Sequence, residues 1–588
     1  NQLHDIGHGQ TLLEAEGLTV DPHQFLGIEL NPRAAAIAEL VLWIGYLQWH
    51  FRTQGSGLPP SPILKDFRNI ECRDAVLAHD GVDYVLDDKG IPVTRWDGRT
   101  MKKHPVTGED VPDETARLPL ERYRNPRQAE WPAADVVVGN PPFIGNKRMR
   151  TALGDGYVEA LRAAWEALPD NADFVMYWWH HAAQLVAQGR LARFGFITTN
   201  SLSQTFNRRI VQAALDQGLH LAFAVPDHPW VDNADGAAVR IAMTVVAPVA
   251  GEGRLCTVVA EREGKGEGLE VELGERSGLI HADLTVGANV AAAQSLQANA
   301  GLCFQGMNLV GKGFRLTAED VQRLGYQTSH LPPEIKPHRN ARDMMQGGED
   351  CYVIDLFGYR AEEARAQHPA LYQWLFDRVK PERDHNKDLQ RRRDWWLFGR
   401  SNRDLRKSWI GIERIILTPE TSKHRVFGFQ ALPFCPDHKL YAICCEDAWV
   451  LGVLSSATHA CWALAAGGRL GVGNDPTWTN TTCFLTFPFP AATAEQQARI
   501  RDLAEQIDAH RKRVLAAHDE LTLTGLYNVL AKVGAGDTAL SAKERLIHEK
   551  GLVAVLKQLH DELDAAVLDA YGWHDHPSDE QILERLVA

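Results

Sequence analysis

The sequence predicts an α/β domain built on a mainly parallel sheet, then a mixed α+β domain, then a helical C-terminal region. Three observations carry that prediction. Over the first 250 residues, short apolar runs alternate with stretches of helical spacing, the pattern of strand–helix–strand units. From about residue 251 the texture changes to Gly/Glu-rich hairpin sequence (Gly251–Gly278), then to short strands rich in Trp, Arg and Pro up to about 490. Beyond Pro490, Ile500, Leu503, Ile507 and Val514 recur at helical spacing, with Arg499, Arg501, Lys512 and Arg513 facing outward between them.

Each element follows in order. Gln24–Leu30 is a buried strand. A helix starts at about Pro32, where proline suits the first turn, with Ile37, Leu40, Val41, Ile44 and Leu47 at helical spacing. Asn69–Cys72 is a short strand and Ala134–Val138 a stronger one; the polar, turn-rich stretch 84–130 between them is an insertion. Further strands are predicted at Arg193–Thr198, His220–Val225 and Ala238–Val246, the last two joined by Asp227–Gly236 to make an antiparallel edge. The expected domains are therefore 1–250, a linker and hairpin at 251–300, 301–490, and helices over 491–588 that turn near Gly534–Gly536.

At 588 residues the chain has room for about three or four domains. Its 45% hydrophobic and 23% charged content excludes a largely disordered chain. No run of about 18 apolar residues predicts a membrane span. The first residues, Asn1–Asp5, carry no export signal and no initiator Met, so the chain is expected to begin inside a longer protein. The nine cysteines lack zinc spacing and fit reduced thiols in a bacterial cytoplasm; the 24 histidines also lack ligand spacing, so no metal is expected. Net charge is −14, but the charge is segregated: residues 378–425 hold 14 Lys/Arg against 7 Asp/Glu, whereas 541–588 hold 5 against 10. An acidic total thus leaves room for a basic, nucleic-acid-binding surface.

The chemistry concentrates in one motif. The apolar run Asp135–Gly139 ends in Asn140-Pro141-Pro142-Phe143, a loop at the C-terminal edge of a strand, where open α/β sheets bind ligands. Two prolines stiffen the loop and remove two N–H donors, so backbone carbonyls stay available. An Asn side chain beside such a carbonyl offers two acceptors to one exocyclic amino group. Accepting both N–H bonds draws electron density onto that nitrogen, so that its lone pair can attack a methyl sulfonium, while an aromatic ring at 143 can stack on the base.

Asn140–Phe143 resembles the catalytic motif of amino-group DNA methyltransferases. That resemblance implies a class I methyltransferase fold with a Rossmann-like sheet, S-adenosylmethionine as methyl donor, and adenine N6 or cytosine N4 as acceptor. It also implies that Glu29, at the end of its strand, holds the cofactor ribose, that Asp74 meets the cofactor adenine, and that Asn31, Ala75 and Asn140 are further cofactor contacts. More specifically, Gly27–Pro32, Leu42–Trp49 and Gly139–Arg150 resemble the MmeI-like type IIL restriction–modification enzymes, with methyltransferases of the DISARM phage-defence systems as close relatives. Tyr352–Gly358, Val379–Arg383, Trp395–Gly399, Thr418–Thr421 and Gly467–Gly471 resemble that family's DNA target-recognition region.

Double-stranded DNA is the implied partner, with the target base flipped into the Asn140 pocket. Lys147, Arg148 and Arg150 directly follow the loop and are candidates for holding the backbone there. Arg391, Arg392 and Arg393, beside Trp395 and Trp396, and Lys423 and Arg425 are candidates for phosphate contact; Arg469, Asn474 and Asp475 are candidates for base reading. The family's cofactor loop, an acidic-Pro-x-Cys-Gly-Ser-Gly-like stretch, is expected before residue 1, together with a nuclease in the missing N-terminal portion. Glu334-Ile335-Lys336 has a nuclease look but no acid at suitable spacing before it. Asn before the prolines and Phe after them favour adenine over cytosine. A protein-glutamine methyltransferase and a catalytically inactive DNA reader are the alternatives.

Overall fold

The computed structural model describes residues 22–588 apart from 55–68, 98–99, 104–109, 114, 231–239, 250, 264–268, 349, 385–387, 471–474 and 537–539. Its contacts divide into two units, 1–286 and 287–588.

The first unit opens with β1 (Gly27–Glu29), α1 (Pro32–Gln54) and β2 (Ile70–Cys72); β1 and β2 are parallel, with Glu29 opposite Cys72. The apolar residues of α1 are spread round the helix rather than along one stripe. Ile37, Leu40, Val41 and Ile44 are exposed on it. The polar insertion folds as nested antiparallel pairs: Leu77–Ala78 with Arg127–Gln128, Gly81–Tyr84 with Glu121–Arg124, Thr94–Trp96 with Arg117–Pro119, and Met101–Lys103 with Asp110–Pro112. Its sequence is polar because most of its described side chains meet solvent.

The main sheet then forms from β3 (Val136–Gly139), β4 (Arg193–Thr199), β5 (Leu219–Pro229), β6 (Arg240–Pro248), β7 (Gly253–Glu263) and β8 (Leu269–Gly278). The helices α2 (Asn146–Leu153), α3 (Asp155–Ala164) and α4 (Val175–Ala187) connect β3 to β4, and α5 (Thr205–Asp216) connects β4 to β5. Strand order is β3-β4-β6-β5-β7-β8. Trp165, Trp179, Phe194 and Phe196 fill the core between helices and sheet.

Three expectations need correction. Only the β3–β4 and β5–β7 pairs in this sheet are parallel, so it is mixed rather than mainly parallel. β6 is no edge: it lies between β4 and β5, because its apolar residues, including Ile241, Ala242 and Val246, are buried. The Gly/Glu-rich hairpin is no linker either. Phe223 and Ala224 of β5 pair with Arg254 and Leu255, so β7 and β8 extend the sheet and move the boundary of this unit from 250 to 286.

The second unit holds two four-stranded sheets. One has the order β9 (Cys303–Gln305), β16 (Leu440–Ile443), β13 (Arg414–Pro419), β14 (Gly428–Ala431); the other β10 (Arg315–Leu316), β12 (Cys351–Ile354), β11 (Ile335–Arg339), β15 (Cys435–Pro436). Between these strands run the short helices α6 (Leu389–Arg393) and α7 (Arg403–Ser408), followed later by α8 (Ala448–Ser455), α9 (Ala457–Ala466) and the ribbon β17 (Arg469–Leu470) with β18 (Asp475–Pro476). The C-terminal helices α10 (Ala494–Ala517), α11 (Leu523–Gly534), α12 (Ala542–Lys550), α13 (Val553–Ala570) and α14 (Asp579–Val587) are not a separate tail. Ile500, Leu503 and Ile507 of α10 share one core with Phe427, Trp462 and Trp478. Among the described residues no single helix is long and apolar enough to cross a membrane; the bent pair α8–α9 qualifies only jointly, and its Leu451, Val453, Leu454 and Trp462 are buried.

Candidate functional site

The Asn140 loop is fastened on both arms. On the entry side, Gly139 pairs with Phe196 of β4, and a Cβ at 139 would lie 3.2 Å from the Phe196 ring, so glycine permits this close approach. Pro141 is buried. On the exit side, the Phe174 N–H donates to the Ile144 carbonyl (2.9 Å) and the Asn146 N–H to Asp173 Oδ1 (2.9 Å). The Asn146 side chain also donates to Asn171 Oδ1 (3.2 Å). Between these fastenings Asn140 and Pro142 are exposed and Phe143 half-buried, so the acceptor amide is open to solvent on a fixed loop.

Asp173 was not singled out by sequence reasoning, because an Asp just before a helix signals only a cap. Its Oδ2 accepts from Ser201 Oγ (2.7 Å) and from Asn207 Nδ2 (2.8 Å), and its own N–H donates to Asn207 Oδ1 (3.1 Å). A second network lies at the end of β5: Asp227 accepts from Asn200 Nδ2 (3.1 Å) and pairs with Arg240 (2.7 Å), which also meets Glu261 (2.9 Å). Trp230, exposed just beyond β5, is another aromatic the sequence reading passed over.

Glu29 ends β1, and Asp74 lies just beyond β2, the strand parallel to it. Glu29 Oε1 accepts from the Asn31 N–H (2.8 Å), and Asn31 Oδ1 accepts from the N–H groups of Arg33 (2.9 Å) and Ala34 (3.3 Å). Asn31 is therefore the N-cap of α1, a role that occupies the side chain expected to face a cofactor. Asp74 is also engaged: Oδ1 accepts from the N–H groups of Val76 (2.8 Å) and Leu77 (2.9 Å), and Oδ2 from Tyr157 Oη (2.7 Å). Burial and then the charge of Asp74 push the Tyr157 phenol pKa up, so this hydroxyl stays a donor. The Ala75 carbonyl accepts from Trp131 Nε1 (2.7 Å). Tyr157 lies on α3, so Asp74 is tied to the helix pair that follows the Asn140 loop.

The basic candidates divide into three groups. Lys147 and Arg148 are exposed on α2 and have no described ion-pair partner, and Arg392 is likewise exposed on α6. Arg150 is held by Asp155 (3.1 Å) and Glu159, Arg391 by Asp388 (3.3 Å), Arg393 by Asp394 (2.9 Å), and Lys423 donates to Asn528 Oδ1 (2.9 Å). Any phosphate contact by these four competes with a partner already present. Arg425 is half-buried: it donates to the carbonyl of Pro419 and to Thr418 Oγ1 (3.2 Å), and burial lowers its pKa to about 10. Strand-end carbonyls that sequence spacing does not reveal already engage its guanidinium, so any phosphate contact by Arg425 competes with them. The β17–β18 ribbon carries Arg469 opposite Pro476 and Asp475 opposite Leu470; Asn474 lies outside the described residues. Glu334 accepts from Tyr359 Oη (2.8 Å) and Lys336 pairs with Asp355 (2.6 Å), a structural arrangement with no metal-binding cluster among the described residues.

Removing Lys147 and Arg148 together (both →Ala) is expected to weaken binding to all DNA sequences alike and to reduce the salt slope of binding by about 2, measured by anisotropy titrations across salt concentrations.

Comparison with known proteins fits this geometry. The chain matches the model of the MmeI DNA-methyltransferase domain over residues 5–254 and that of the MmeI target recognition domain over 290–491. It is 23% identical over 552 residues to DNA methyltransferase A of Bacillus subtilis (strain 168), covering 90% of this chain and 56% of that protein. The chain thus spans little more than half the length of that curated relative. Among solved structures it is similar to the type IIL restriction–modification enzyme MmeI in complex with DNA, at 18% identity and a TM-score of 0.66, over 98% of this chain and 67% of that one. The two matched domains together take in more than three quarters of the sequence, in the order in which the two structural units occur, and the chain belongs to the MmeI family, with a DNA-methyltransferase domain followed by a target recognition domain.

Proposed function

We propose that the protein methylates adenine N6 of a flipped base at a specific sequence in double-stranded DNA, with S-adenosylmethionine as donor, as part of a bacterial restriction–modification or phage-defence function in the cytoplasm. The observation that carries this reading is the doubly fastened Asn140–Phe143 loop at the end of β3, which leaves the Asn140 amide exposed beside a half-buried Phe143. Asn140 Oδ1 would accept one N–H of the target amine and a loop carbonyl the other, with Phe143 against the base. The bound donor supplies an electrophilic methyl sulfonium. With that donor bound, Asn140 and the loop carbonyl would hold the amine lone pair toward the methyl group, and the proton lost from the nitrogen would pass to solvent. Glu29 fits the ribose hydroxyls as an acceptor, since among the described residues only its Oε1 is engaged. Asp74 fits the adenine amino group with the lone pairs its three internal hydrogen bonds leave. The Rossmann-like topology of the class I fold belongs to the same reading.

The test is methyl transfer by the product of the complete gene, with labelled donor and duplex DNA, followed by nucleoside analysis. N6-methyladenine supports the reading, N4-methylcytosine corrects the acceptor, and label in protein glutamine instead of DNA refutes it.

The 588-residue chain alone is expected to bind donor weakly. β3 exposes Val136 (55%) and Val138 (83%), and α1 exposes Ile37 and Leu40, apolar surface on the elements that follow Glu29 and lead into Asn140. Calorimetric titration checks this; an affinity equal to that of the complete gene product would contradict it.

A further inference from the structure

We propose that Asp173 is the positioning residue of the transfer site, setting the Asn140–Phe143 loop through a carboxylate that only an acceptor-only side chain can replace. The inference rests on the reading of that loop as catalytic. Asp173 receives three side-chain-directed donors from three segments: the Asn146 N–H at the loop exit on Oδ1, and Ser201 Oγ and Asn207 Nδ2 on Oδ2. Its neighbour Phe174, itself buried, fastens Ile144 through the backbone, so residues 173 and 174 together clamp the exit arm.

The donor and acceptor roles are fixed rather than interchangeable. Asn207 is buried, its Oδ1 accepts from the Asp173 N–H (3.1 Å), and its Nδ2 donates both to Asp173 Oδ2 and to the Ser201 carbonyl (3.0 Å). Its amide therefore cannot turn over to suit an altered partner. An amide at 173 would set its NH2 either against the Asn207 NH2 or, turned over, against the Asn146 N–H, although its size and shape match the carboxylate. Ser201 and Asn207 follow β4, the strand beside β3, so the network couples the ends of two adjacent parallel strands to the loop. A target nitrogen must meet its acceptors within a few tenths of an ångström, and release of one arm misplaces Asn140 without removing it.

The test is Asp173→Asn, with Ser201→Ala as the milder variant that removes one donor from Oδ2. In the 588-residue chain, hydrogen–deuterium exchange of the peptide covering 142–148 is expected to speed up in Asp173→Asn, and less in Ser201→Ala, while peptides of α4 and β4 are unchanged. In the complete gene product kcat is expected to fall about 10- to 100-fold, with KM for DNA and for donor within about twofold. Unchanged exchange over 142–148, or faster exchange throughout α4 and β4, would overturn the positioning role, as would an unchanged kcat. If Asn140→Ala retains full methylation, the methyl-transfer reading fails, whereas the exchange result still decides whether Asp173 sets the loop.

Discussion

Asn140→Ala is expected to lower the rate of methyl transfer by roughly 100- to 1000-fold while leaving DNA affinity within about twofold. The side chain supplies an acceptor whose interaction strengthens as the amine nitrogen becomes electron-rich in the transition state, so its loss falls on kcat rather than on ground-state binding. The fold survives the change because the loop is fastened by Gly139, the Ile144 carbonyl and the Asn146 N–H, none of which uses the Asn140 side chain. Asn140→Asp keeps an acceptor and is expected to retain more activity than the alanine variant. Initial rates at saturating DNA and donor, with binding measured separately, check both statements.

Asp355→Ala is expected to destabilise the second unit by about 3–5 kcal/mol, the usual cost of leaving buried charges without their counterion. Asp355 follows β12, and its side chain is only 2% exposed. It pairs with Lys336 Nζ (2.6 Å) and, in a bidentate arrangement, with Arg406 of α7 (2.7 and 3.0 Å). Burial alone would raise the Asp355 pKa, but Arg406 and Lys336 outweigh it and hold the pKa below the ordinary carboxylate value. A folded-state pKa below the unfolded one stabilises the fold at neutral pH, and that contribution is lost as pH falls through the folded value. Urea unfolding against pH is therefore expected to show an acid-side loss of stability that Asp355→Ala lacks. A variant as stable as the parent at pH 7 would contradict the account. The stakes extend to α7, whose Arg403 and Lys407 line a cavity of about 1100 Å³ with Trp409 and Ile410.

Local pattern made much of this molecule legible. The strands at 27–29, 70–72, 136–139 and 193–199 follow from apolar runs, and the start of α1 follows from Pro32 with Asn31 before it. The Asn140 loop was legible because its residue types are unusual in an ordinary turn. What stayed hidden depends on partners far apart in sequence. The insertion of β6 between β4 and β5 is a pairing choice that alternation cannot specify, and β7 joins the sheet by pairing with a strand about thirty residues earlier. The anchoring of Arg425 rests on carbonyls at 419 and 476, and the clamp at Asp173 on residues 201 and 207. Asn31 also carries a role that its position alone did not reveal: two backbone N–H groups engage its Oδ1 as a helix cap.

The most direct test is base-modification sequencing of DNA from a methylation-free host carrying the complete gene, beside a host carrying its Asn140→Ala copy. N6-methyladenine at one short sequence, absent with the variant, is the predicted result and fixes reaction, target and catalytic loop together. Unmodified DNA from a host in which the protein is expressed and folded would contradict the account and favour an inactive reader or a protein-methylating enzyme.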